Sequence, residues 1–149
     1  MKILVFSDVE NWVGYEEQVD KIQPNVVVLA GDLTSDGLAS FWHDSIGRKL
    51  SLPPQRMHVN KFYHFLRHVG KKSEVMVVKG DHDEDFEGSY VPEKINRIHG
   101  CAEISGKTIE EKGIRFLGLG FNDTYYVRRL KPIIQEFKEK IEVVIMHGP

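Results

Sequence analysis

A layered α/β fold on a mostly parallel sheet is the architecture this sequence predicts, and three features predict it. Apolar runs of strand length alternate with segments of helical periodicity. The runs ILVF, VVVLA, VMVV and VVIM are nearly continuous, as strands covered on both faces are. Each run is followed at once by residues able to hold a ligand, and open α/β sheets bind ligands outside the carboxyl ends of their strands.

The first strand is predicted over Lys2 to Ser7, with its four apolar residues buried on both faces. A short helix is expected from Tyr15 to Ile22, closed by Pro24 and Asn25. Val26 to Ala30 form the second strand, which Gly31 breaks. Leu38, Phe41, Trp42, Ile46 and Leu50 fall at helical spacing, and Pro53 and Pro54 end that segment. Val59, Phe62, Tyr63, Leu66 and Val69 make a second helical stripe, with Gly70 placed to stop it. The third strand is Glu74 to Lys79.

Beyond it the pattern changes. Ile98 to Ile109 and Gly113 to Gly120 read as the two arms of a hairpin turning through EEKG. Leu130, Ile133, Ile134, Phe137 and Ile141 give another amphipathic helix, and Glu142 to Met146 the last strand. The sequence shows no internal repeat and no linker, so residues 1–149 are expected to form one domain.

Composition narrows the function classes. Hydrophobic residues make up 41% and charged residues 28%, an ordinary globular balance. The formal net charge is -2, which gives no global basic footprint for nucleic acid. Arg48, Lys49, Arg56, His58 and Lys61 form only a modest basic cluster, expected to be solvated surface. No run approaches the ~20 apolar residues of a membrane span. The start lacks a secretory leader, so a cytoplasmic setting is expected. The single cysteine, Cys101, rules out an intrachain disulfide and a four-cysteine zinc site. It is expected to be a small buried residue.

The polar residues at the strand ends carry the chemistry. Asp8 and Glu10 follow the first strand, and Asp32 follows the second. Asp81, His82 and Asp83 follow the third, and His147 follows the last. One aspartate after a strand is commonplace. Four strands obeying the same rule bring carboxylates and imidazole to one edge, a mixture suited to manganese, iron or zinc.

These segments, SDVE, AGDLTSDG, KGDHDE and VVIMHGP, together with FLGLGF at Phe116 to Phe121, resemble the calcineurin-like metallophosphoesterase family over essentially the whole chain. The resemblance implies a layered β-sandwich flanked by helices, with parallel or mixed sheets. It also implies hydrolysis of phosphomonoesters or phosphodiesters at a two-metal centre. Asp8 would bind the first ion, Asp32 both, and His147 the second. Asp81 occupies the position of a metal-binding asparagine. His82 would face the phosphate and protonate the leaving oxygen, while Asp83 would hold the loop or orient His82. Asn11 and Trp12 would contact substrate, with packing as the alternative for Trp12.

Three departures from the family pattern stand out. Glu10 replaces a histidine, and either ligates the first ion or turns away as a surface residue. Asp81 replaces the neutral asparagine. Both changes replace a neutral ligand with an acid, so manganese is expected first, with magnesium, iron, nickel or zinc as alternatives. Finally, the sequence ends at HGP with no G-H-x-H pair, so the domain is expected to be truncated at its carboxyl end. A naturally short chain, or a second subunit of a homo-oligomer completing the site, are the alternatives. The expected partner is a small phosphate ester or nucleotide, not a nucleic acid or a membrane. A non-catalytic scaffold with a partial metal site is the rival reading.

Overall fold

The computed structural model describes residues 1–9, 12–34, 53–84, 90–121 and 140–147, with backbone alone at 53–58 and 84. The helices expected around Leu38 to Leu50 and Leu130 to Ile141 lie outside the described residues, as do Glu10, Asn11, Arg48 and Lys49. The side chains of Arg56 and His58 are likewise outside them.

Two sheets form the centre. In the first, β1 (Ile3–Phe6), β2 (Val26–Ala30), β3 (Glu74–Val78) and β4 (Cys101–Glu103) lie side by side in that order, all parallel. In the second, β5 (Lys107–Glu111) runs antiparallel to β6 (Ile114–Leu119), which pairs in parallel with β7 (Val143–Met146). Helix α1 (Tyr15–Ile22) links β1 to β2, and α2 (Pro53–Val69) precedes β3. A three-residue 3-10 turn follows β3 at His82–Glu84, and the short helix α3 (Pro92–Asn96) precedes β4.

Alternation along β2 and β3 explains the layering, because successive strand side chains point to opposite faces. Val27, Leu29, Val75 and Val77 face the helices, packing with Val19 of α1, Phe62, Phe65, Leu66 and Val69 of α2, and Ile95 of α3. Val26, Val28, Ala30, Met76 and Val78 face the second sheet, meeting Phe116 and Ile145 together with Ile104. Both faces of the parallel sheet are thus apolar, and burying side chains of this size stabilises by about 1.5–3 kcal/mol each.

Three readings of the sequence need correction. Among the described residues β1 is an edge strand. Leu4 and Phe6 pack on the helical side, but Ile3 and Val5 are 40% and 58% exposed, so burial on both faces does not hold. The segment Ile98 to Ile109 is not one hairpin arm. Cys101–Glu103 joins the parallel sheet, and only Lys107–Glu111 forms the hairpin with β6. That hairpin turns through Lys112 and Gly113, both at positive φ (53° and 76°), as a two-residue turn of this hand requires. Third, α3 was not foreseen. Its signals were Pro92 at the first helical position and a single buried anchor, Ile95.

Cys101 is buried, as expected, and burial together with Glu74 pushes its thiol up to about 12. No helix among the described residues is long and apolar enough to cross a membrane.

Candidate metal centre

Because β1, β2 and β3 are parallel, Asp8, Asp32 and Asp81 all emerge at one edge of the sheet. β7 of the second sheet delivers His147 to the same place.

The local backbone is bent to present these groups. Asp8 (φ 55°) and Asp32 (φ 54°) are both left-handed, a conformation uncommon outside glycine but tolerated by aspartate. Such strain concentrates at functional loops, at a cost of order 1–3 kcal/mol each. Gly31 precedes Asp32 at φ 84°, and a Cβ there would overlap the His147 imidazole. A Cβ at Gly80 would overlap the Asp32 carboxylate. The glycine of each GD pair therefore makes room for a functional side chain on a neighbouring strand end.

Asp83 braces the arrangement. It is fully buried and accepts hydrogen bonds from the backbone N–H of Gly80 (2.7 Å), Asp32 (3.1 Å), Leu33 (2.6 Å) and Thr34 (2.9 Å). The Thr34 hydroxyl donates to the Asp83 carbonyl at 2.9 Å. One carboxylate thus ties the loop after β2 to the loop after β3. Burial pushes the Asp83 carboxyl up, against the backbone donors that favour its ionised form. Of its two foreseen parts, these bonds give it loop-holding. Its position as one acid among several offered no sequence signal of this.

Two sets of potential donors result. Asp8, Asp32 and His147 offer ligand atoms within 4.8 Å of one another, and so do Asp32, Asp81 and His82. Asp32 belongs to both. His82 was foreseen facing phosphate, yet the geometry also brings it within reach of the second set. Its backbone N–H donates to Asp32 Oδ1 at 3.1 Å.

His147 is almost wholly buried, with Nδ1 2.9 Å from the Ala30 carbonyl. A carbonyl only accepts, so Nδ1 carries the proton and Nε2 is turned toward the acids. That is the tautomer arrangement by which protein carbonyls orient metal-binding histidines. Nε2 lies 3.1 Å from Asp81 Oδ1 and 3.6 Å from Asp32 Oδ1. Burial pulls the His147 pKa down, but the Ala30 carbonyl and the charges of Asp32, Asp81 and Asp8 outweigh it, leaving it raised. Burial raises the Asp32 carboxyl, and Asp81 adds to this. The His82 amide, His147 and His82 oppose it. Three carboxylates facing one another, Asp32 partly buried and Asp8 and Asp81 exposed, favour a bound cation, and oxygen with imidazole is a donor set for hard to borderline divalent ions. The residues fit such an ion.

Trp12 is a core residue, which corrects its expected substrate contact. It is 2% exposed, its indole N–H donates to the Leu33 carbonyl at 2.7 Å, and its rings pack against Phe6, Tyr15, Phe62 and Phe65. Glu10 and Asn11 lie outside the described residues.

The family profile of calcineurin-like phosphoesterases matches residues 1–149. This chain belongs to that family. No curated protein matches the sequence. Among solved structures 19 chains match. One of them, a crystal structure, superposes with a TM-score of 0.62 at 14% identity, over 99% of this chain and 69% of that one. At that identity the likeness shows the layered α/β fold alone. As a member of the family, the chain carries two candidate metal-ligand clusters at the position where its sheet ends converge.

Proposed function

We propose that this phosphoesterase-family chain hydrolyses phosphomonoesters or phosphodiesters at a dinuclear metal centre. The observation that carries the reading is Asp32, whose carboxylate is common to both donor sets. A shared carboxylate suits two ions ~3.5–4 Å apart. Asp8 and Asp32 would hold the first ion with Glu10, and Asp32, Asp81 and His147 the second. Manganese is favoured by the number of hard oxygen donors, ahead of magnesium, iron, nickel or zinc. The chemistry such ions supply when bound is charge on the phosphate oxygens and a water pKa lowered to ~7.

The remaining work falls to the chain's own side chains. The Ala30 carbonyl holds His147 in orientation. Asp83 fixes the relative position of Asp32 and Asp81 by pinning their backbones. His82, half-exposed at the edge, donates a proton to the leaving oxygen, which departs as a neutral alcohol. No covalent intermediate is required, and the buried, weakly acidic Cys101 is unsuited to forming one. The substrate is a small phosphate ester or nucleotide, handled by one domain in the cytoplasm. A homo-oligomer is the route by which a partner could extend the site.

A second reading, a scaffold that holds metal without turnover, is favoured by Glu10 and Asp81 standing where the family has neutral ligands. Hydrolysis of bis-p-nitrophenyl phosphate and p-nitrophenyl phosphate with added manganese decides between them. Turnover that Asp32→Ala abolishes supports the hydrolase. Equal turnover by both proteins sinks the two-metal reading, and metal binding without turnover favours the scaffold.

A further inference from the structure

The carboxyl end of β4 and the glycines of FLGLGF meet beside the exit of β3, just before Asp81. There β4 leaves the first sheet for the second, and its ladder with β3 changes partner. Val75 N–H donates to the Gly100 carbonyl, and Ile104 N–H donates to that of Val77. On the same register the Lys79 N–H would reach the Ile104 carbonyl. That carbonyl accepts from the Lys107 N–H instead, and Lys79 N–H donates to the Ser105 hydroxyl at 3.0 Å. A side chain thus stands in for a ladder carbonyl at the residue before Gly80.

Ser105 is itself held. Its Oγ accepts from Lys79, which leaves its one proton to donate, and it bonds to the Tyr90 hydroxyl. Tyr90 donates to Glu103 Oε1 at 3.3 Å, which also accepts from the Ser105 N–H at 3.1 Å. Lys107 Nζ pairs with Glu103 Oε2 at 3.1 Å. A carboxylate only accepts, so the chain runs one way, from Lys79 through Ser105 and Tyr90 to Glu103. Tyr90 and Glu103 are buried, where such chains are strengthened. Burial, then Glu103, pushes the Tyr90 phenol up, which keeps it a donor.

The glycines make room for this arrangement. A Cβ at Gly118 would overlap the Ile104 carbonyl, and one at Gly120 would press on the Ser105 side chain. Phe121 N–H donates to the Lys79 carbonyl at 3.0 Å. The next amide, Gly80, is held by Asp83. Successive peptides ahead of Asp81 are therefore fixed by separate parts of the chain.

We infer that Ser105, held by Tyr90 and Glu103, is a positioning residue for the candidate metal centre: it clamps the Lys79 peptide and so fixes where β3 releases Asp81. The consequence for metal rests on the metal-centre reading; the clamp itself does not.

The test measures two quantities in the full chain, each below its unfolding transition. Hydrogen exchange of the Lys79 amide, relative to that of Val77, reads the clamp. Manganese affinity by calorimetry reads the centre, and a loss of stability alone does not move it. In Ser105→Ala, Lys79 exchange should rise about 10-fold, the scale of one lost hydrogen bond. Manganese affinity should fall by about 10-fold, the low end for residues supporting a ligand. Tyr90→Phe should shift both in the same direction by less. Gly113→Ala, at the distant hairpin turn, should lower Tm and leave both unchanged.

Unchanged Lys79 exchange in Ser105→Ala overturns the clamp. Faster exchange with wild-type manganese affinity overturns the positioning role and leaves Ser105 a stabilising contact. If Ser105→Ala does not fold, Tyr90→Phe, which keeps the buried ring, decides by the same two measurements. A wild type that binds no manganese defeats the metal-centre reading and the consequence for metal with it, while exchange at Lys79 still decides the clamp.

Discussion

At the carboxyl edge of the parallel sheet, Asp8, Asp32 and Asp81 gather around His147. At the amino edge, Asp20 meets His68 at 3.2 Å and Lys72 at 2.7 Å beside Asn25 and Ser73. Both are clusters of acid and histidine. At the amino edge the charges balance in solvent. Hydrogen bonds from Lys72 and then His68 hold Asp20 below the ordinary carboxylate range, and the left-handed residue nearby, Gln23 (φ 50°), only closes α1. At the carboxyl edge three acids face two histidines, Asp32 is pushed upward by burial, and two of the acids sit at positive φ. A surface network resolves its own charge. The candidate metal centre leaves charge unresolved and is braced from beneath by Asp83.

The comparison can be broken by substitution. The largest effect is expected for Asp32→Ala, which removes the donor common to both sets. Manganese affinity and turnover should each fall by more than ~100-fold, beyond the loss usual for supporting residues. Calorimetry and the nitrophenyl assays measure the two separately. Next comes Asp83→Ala, which leaves the N–H groups of Gly80, Leu33 and Thr34 without their buried acceptor. A loss of about 3 kcal/mol is expected, or roughly 10 °C in Tm for a chain of this size. A shift under ~2 °C would show that Asp83 does not brace the loops.

Gly31→Ala sharpens the account further. It should cost about 2 kcal/mol, part from φ strain and part from overlap with His147. Gly113→Ala is its control at the hairpin turn, with similar φ and open space around the added Cβ. It should cost only the strain, and denaturant unfolding of the pair isolates the His147 term. Asp20→Asn is expected to do least. Its ion pairs are exposed and screened, so Tm should move by less than ~2 °C and manganese binding should be unchanged.

Sequence and structure agree where the physical signal is local. The runs VVVLA and VMVV place β2 and β3 because both faces of those strands are covered. GD and KGDHD place their ligands because a glycine must precede a side chain packed so closely. The edge character of β1 was hidden, because ILVF reads the same whether or not a second sheet covers it. The division of 98–109 between two sheets was hidden as well. Cys101–Glu103 pairs with β3 across a sequence separation that no local pattern encodes. Asp81, His82 and Asp83 were visible as a group, but their different parts follow from depth. Asp83 points into the protein and Asp81 along its surface, and adjacent acids carry no sequence mark of that difference.

The central claim is that one edge of the sheet binds divalent metal and the other does not. Paramagnetic broadening of amide resonances by substoichiometric manganese tests it directly. The account predicts loss of signals from Asp8, Asp32, Asp81, His82 and His147, while those of Asp20, His68 and Lys72 stay sharp. Broadening centred on the amino edge, or none at either edge, would contradict it.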